Sequence, residues 1–150
     1  MDRAKQAREN FLNGANCAQA VLAAFADEAG IDRDTALKIG SGLGGGMGRL
    51  REVCGAFSAA VIVAGLMRGP ADLGDKESKD RQYRLTQELA RRFREKNGSV
   101  VCRELLGLPE GRRDEPISEA RTAGYYKKRP CADLVEDAAS ILEAVLSGQE

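Results

Sequence analysis

Apolar residues along this chain recur at intervals of three and four rather than two, the spacing of one face of an α-helix. In residues 2–12, Ala4, Ala7 and Phe11 share such a face, and Asn13-Gly14 stops the helix because glycine suits the left-handed C-terminal cap. Asn16 caps a second helix through about Ala29, with Val21, Leu22 and Phe25 on its buried stripe. Gly30 ends it, and Asp32 caps a short third helix carrying Ala36, Leu37 and Ile39. A fourth runs from about Arg51 or Glu52 to Met67; its small apolar residues lie nearly all round the helix, which predicts burial on most sides. Arg68-Gly-Pro70 ends it, and a polar surface loop leads to Asp75. Lys76 to Lys96 reads as a long charged helix with Tyr83, Leu85, Leu89 and Phe93 as sparse apolar contacts. Asn97-Gly98 closes it, and Ser99 caps a short helix through Leu106. Pro109 to Pro116, rich in charge and turn formers, predicts a mobile loop. A short helix around Ser118–Ala123 and an amphipathic helix from about Cys131 to Leu146 complete the pattern. No period-two segment, internal repeat or second domain emerges. The expectation is therefore all-α: one domain over residues 1–150, a compact bundle of about six to seven helices with a glycine-rich loop.

Composition refines this picture. Hydrophobic residues make up 43% of the 150-residue chain and aromatic ones only 5%, so Ala, Leu and Val carry the core, as suits closely packed helices. Lys+Arg and Asp+Glu both number 23, and this balance gives no electrostatic footprint for nucleic acid. The charged N-terminal MDRAKQAREN lacks the apolar region of a secretory signal. The longest apolar run, Ala56 to Met67, falls short of the roughly 20 residues that span a bilayer, so no membrane insertion is expected. A cytoplasmic location follows as the expectation, and there thiols are normally kept reduced.

Histidine is absent. Ser-His-Asp and Cys-His nucleophile pairs are thereby excluded, as are imidazole metal ligands. Attention passes to the four cysteines, Cys17, Cys54, Cys102 and Cys131, none of which forms a CxxC pair. All four fall in the first turn of an expected helix, where unpaired N–H groups and the macrodipole favour a thiolate. Free cysteines can equally be small core hydrophobes.

Between the third and fourth helices stands Gly40-Ser-Gly-Leu-Gly-Gly-Gly-Met-Gly48. Its GxGxxG-like spacing suggests phosphate binding, but a dinucleotide fingerprint needs a preceding strand, and none is visible. The better reading lets Gly44, Gly45, Gly46 and Gly48, with Gly55, bring backbone close to the Cys54 helix start. There they would donate N–H groups to sulfur or a small anion.

These residues resemble the redox-active family named for its C_GCAxxG_C_C pattern, over nearly the whole chain. Asn16-Cys-Ala-Gln-Ala-Val21 is similar to the segment around the family's first cysteine, and Cys54-Gly-Ala-Phe-Ser-Ala59 to its central motif. Cys102 and Cys131 stand where its third and fourth cysteines are expected. Ala59 replaces the motif's final glycine. The resemblance implies a redox role for the cysteines without naming a substrate.

Three readings follow. In the first, the four cysteines carry dithiol–disulfide exchange, with Cys54 as the reactive thiol and Cys17, Cys102 and Cys131 as resolving partners. The partner is then a redox protein, a small thiol or an anionic substrate. The second has the same four thiolates bind an iron–sulfur cluster or zinc, both of which accept four cysteines. The third is a helical interaction module with inert core cysteines, docking through the 76–96 helix. Tyr125-Tyr126-Lys-Lys-Arg129, just before Cys131, would supply a positive field near the thiols or simply a solvated loop.

Overall fold

The structure, a computed structural model, describes residues 2–148. Its helical segments are α1 (Arg3–Leu12), α2 (Cys17–Ala29), α3 (Arg33–Gly40), α4 (Gly44–Met47), α5 (Gly55–Arg68), α6 (Lys76–Asn97), α7 (Cys102–Leu105), α8 (Ala123–Lys128) and α9 (Cys131–Leu146). The fold is all-α. The segments α4 and α7, of four residues each, are single turns, which leaves seven helices of substance.

The central pair is α2 against α5. Small residues are frequent among the buried positions of both helices: Ala18, Ala20, Ala24 and Ala26 on α2, and Gly55, Ala56, Ala59 and Ala60 on α5. Short side chains there let the two helices approach closely. Around the pair, α1 and α9 close one side with Phe11, Leu134, Val135 and Leu142, and α6 covers another with Leu89 and Phe93. The α1–α2 contact is also polar. Asn10 donates to the Ala20 carbonyl at 3.1 Å, and Arg3 donates to the Ala24 carbonyl and to Asp27, both at 2.8 Å. These bonds satisfy groups that burial would otherwise leave costly. No helix among the described residues is long and apolar enough to cross a membrane.

Capping fixes the helix that carries Cys17. Asn16 accepts from the Gln19 backbone N–H at 2.8 Å, and the Gln19 side chain accepts from the Asn16 N–H at 3.0 Å. This reciprocal box leaves two fewer orphan donors at the start of α2. The long charged helix likewise begins at Asp75, which accepts from the Ser78 N–H at 3.0 Å, and ends at the left-handed Gly98.

Four sequence expectations shift. First, α5 begins at Gly55, so Arg51 to Cys54 is not helical. Val53 instead forms an isolated antiparallel bridge with Val101, in which Cys54 N–H donates to Val100 at 2.8 Å and Cys102 N–H to Glu52 at 2.6 Å. One bridged pair is too short to show a period of two, so the sequence pattern could not reveal it. Second, Ser99 does not begin a helix: its Oγ accepts from Val101 N–H at 2.9 Å, and α7 starts at Cys102. Third, the helix expected at Ser118–Ala123 lies later, because Thr122 Oγ1 accepts from the Tyr125 N–H at 3.1 Å and starts α8. Fourth, the segment expected to be a mobile loop is tied down: Asp114 pairs with Arg51 at 2.7 Å and with Arg112 at 2.8 Å, and its N–H donates to Arg49 at 3.0 Å.

Candidate functional site

The glycine run does something that few sequences can do. Leu43 is right-handed (φ −96°, ψ −10°), and Gly45, Gly46, Met47, Gly48 and Arg49 then all have φ between 60° and 69°. Five successive left-handed residues make one turn of the wrong-handed helix, at roughly 1–2 kcal/mol for each residue that carries a Cβ. Glycine removes that cost at three of the five positions, leaving Met47 and Arg49, with Arg51 (φ 64°) beyond them.

Sterics explain the glycines further. A Cβ on Gly46 would lie 2.6 Å from the Cys102 Cβ and 2.8 Å from the Glu52 nitrogen. One on Gly44 would lie 2.7 Å from the Asn16 Cβ, and one on Gly55 would lie 2.7 Å from the Leu43 oxygen. The turn is therefore pressed against the cap of the Cys17 helix on one side and against Cys102 on the other. Outside the turn's own ladder, the N–H groups of Gly44, Gly45 and Gly46 meet no backbone or side-chain acceptor among the described residues.

All four cysteines line one cavity of about 290 Å³, and Gly44, Gly45, Gly46, Gly48 and Gly55 line it too. Cys17, Cys102 and Cys131 are the first residues of α2, α7 and α9, and Cys54 is the N-cap of α5. All are free thiols. The bridge at Val53–Val101 holds the Cys54 and Cys102 strands side by side, while Cys17 and Cys131 lie within thiol hydrogen-bonding reach of each other.

A place at a helix start does not make these thiols alike. Cys54 is pushed up to about 12 by burial, which outweighs the Ala56 and Phe57 N–H groups that favour its thiolate. Burial also raises Cys102, against the Arg51 guanidinium, whose Nη1 lies 3.7 Å from its sulfur. Cys131 goes the other way. The Cys17 thiol donates to its sulfur, Arg129, Arg51 and Arg121 add positive charge, and its pKa falls below the ordinary value. The same hydrogen bond raises Cys17, which acts as the donor of the pair. The expectation that Cys54 is the activated thiol thus meets a physical objection: its sulfur is too deeply desolvated.

Sequence reasoning missed most of the cations. Arg49, Arg51, Arg121 and Arg129 line the cavity, with Glu119 as the acidic residue on its wall. Of the expected basic stretch, Tyr125 and Arg129 line the cavity, while Lys127 and Lys128 are exposed. Arg121 stacks 4.4 Å from the Phe11 ring centre and 4.9 Å from that of Tyr125, and donates to the Phe11 and Ala15 carbonyls at 3.0 Å each. Arg49 and Arg51 flank the glycine run in sequence, which was the available clue. Arg121 had none.

No group of three or more Cys, Asp or Glu side chains among the described residues is disposed to hold a metal ion. The four-cysteine ligand set therefore does not fit this arrangement of side chains.

Fold and cavity define a helical protein whose thiols are gathered in one arginine-lined pocket. Residues 15–145 match the family described as "Putative redox-active protein (C_GCAxxG_C_C)", and the chain belongs to that family. No curated protein and no solved structure shows significant similarity to it.

Proposed function

We propose that this protein carries out dithiol–disulfide exchange, with Cys131 as the attacking thiolate and Cys17 as the resolving thiol. The observation that carries this reading is geometric: all four cysteines line one cavity, into which Cys17 and Cys131 come from the first positions of α2 and α9, and the influence of Cys17 together with the nearby arginines lowers the Cys131 pKa. A thiolate is the nucleophile in exchange, and a pKa closer to ambient pH raises its population.

The step balances as follows. Cys131 sulfur attacks one sulfur of a disulfide, forms a mixed disulfide and expels the other half as a thiolate. Cys17 sulfur then attacks Cys131, and its bond to Cys131 forms as the bond to the bound half breaks. The two thiol protons end on the two released halves. The substrate disulfide gains two electrons and the protein dithiol loses two. Cys54 and Cys102 are held protonated by burial and take no part in this step. Such a dithiol suits a reducing, cytoplasmic compartment.

Limited oxidation of the reduced protein, followed by peptide mapping, tests the reading. A first disulfide joining Cys17 to Cys131 is the expected result. A first bond between any other pair overturns it, and so does stoichiometric zinc or iron with sulfide after anaerobic purification.

A further inference from the structure

We propose that the cavity selects a small anionic disulfide or thiol, not a disulfide on a folded protein; this rests on the exchange reading above. Access comes first. Cys54, Cys102 and Cys131 are only 4%, 8% and 9% exposed, and a disulfide fixed on a protein surface cannot follow the sulfurs that far in. The cavity, at about 290 Å³, lies at the small end of ligand pockets and admits a molecule rather than a chain segment.

Charge comes second. Arg49, Arg51, Arg121 and Arg129 surround the cavity. Against them stand two carboxylates: Glu119, 2.5 Å from Arg129 and 3.1 Å from Arg49, and Asp114, 2.7 Å from Arg51. Arg121 has no acidic partner among the described residues; it is held by two carbonyls and by the Phe11 and Tyr125 rings. A surplus of two positive charges therefore faces the thiols. Within a partly desolvated cavity such a surplus attracts anions and repels cations far more than it would in water.

Arg51 spends its Nε on Asp114 but leaves one end of its guanidinium weakly satisfied beside the thiols. Only 5% exposed, it sits in a left-handed conformation (φ 64°), with Nη1 on the Cys102 sulfur, a weak acceptor. Gly44, Gly45 and Gly46 line the same cavity, and their N–H groups, which meet no acceptor outside the turn's own ladder among the described residues, are further donors for a negative group. A disulfide bearing a carboxylate a few bonds from sulfur would engage these donors while its sulfur meets Cys131.

Three disulfides of similar size separate charge from reactivity: dianionic 3,3′-dithiodipropionate, neutral 2-hydroxyethyl disulfide and dicationic cystamine. With the reduced protein, the anionic probe should be consumed about tenfold or more faster than the neutral one, with cystamine slowest. The anionic-to-neutral ratio should fall toward one at high salt, and also in Arg121→Gln. Using the ratio cancels any change in the thiol itself. Arg129→Gln, read the same way, covers the case in which Arg121→Gln does not fold. The unreactive thioether 3,3′-thiodipropionate, titrated calorimetrically, reads the anion seat without chemistry. Equal rates for all three disulfides would overturn the proposal and leave exchange standing. No exchange, but binding of the thioether that depends on Arg121 or Arg129, would overturn the exchange reading and keep the anion seat. Neither exchange nor thioether binding would overturn both.

Discussion

Gly46→Ala probes the packing that brings the glycine turn to the thiols. Gly46 has φ +69°, so alanine there takes on the left-handed cost of about 1–2 kcal/mol. Its Cβ would also stand 2.6 Å from the Cys102 Cβ and 2.8 Å from the Glu52 backbone nitrogen. Neither neighbour is the free end of a flexible side chain, so the bridge at Val53–Val101 must shift, an overpacking cost of about 1–3 kcal/mol. The expected loss is about 2–5 kcal/mol, a large share of the roughly 5–15 kcal/mol that holds a domain folded. Gly30→Ala is the internal control: φ is +77° and nothing lies within 4 Å of the added carbon, so only the backbone cost applies. In urea unfolding, with a slope of about 2 kcal/mol/M, the Gly46 variant should unfold at least about 0.5 M below the Gly30 variant. Equal midpoints would mean that the turn can move away from Cys102, and the close-packing argument would fail.

Further outcomes follow from the same contacts. Asp114 is held down to about 2 by Arg51 and Arg112, below its ordinary 3.8. Its contribution is therefore complete above about pH 4 and is lost as pH falls through about 2. In Arg51→Met this part of the acid dependence should shrink, visible as a flatter stability curve between pH 4 and 2. Cys17→Ala removes the thiol that donates to Cys131, so the pH profile for alkylation of Cys131, read by mass spectrometry, should move to higher pH. Unchanged Cys131 reactivity would refute the pair. Asn16→Ala loses the cap of α2 and the bonds to the Gly40 and Ser41 carbonyls at 3.1 and 3.4 Å, and should cost about 1–2 kcal/mol by thermal or urea unfolding. Ala59→Gly restores the family's glycine but removes a fully buried methyl from the middle of α5; calorimetry should show a loss of about 1–2 kcal/mol.

Much of the fold is local and could therefore be read directly. The boundaries of α2, α3 and α6 follow from Asn16, Asp32, Gly30 and Gly98, whose caps act within four residues, and the buried stripe of α9 from helical periodicity alone. The four cysteines were identifiable because they mark helix starts and match a family pattern, and the glycines because no ordinary loop uses so many. What the sequence could not disclose is set by contacts between distant residues. The Val53–Val101 bridge joins segments 48 residues apart through one pair, without a periodic signature. Arg121 reaches the pocket because its guanidinium lies over the Phe11 ring, 110 residues away. Above all, tertiary structure sets a different environment around each cysteine. Helix position pointed equally to all four, but burial pushes Cys54 up while Cys17, Arg129, Arg51 and Arg121 pull Cys131 down. Desolvation and charge depend on everything packed around a sulfur, and no run of neighbouring residues specifies that surrounding.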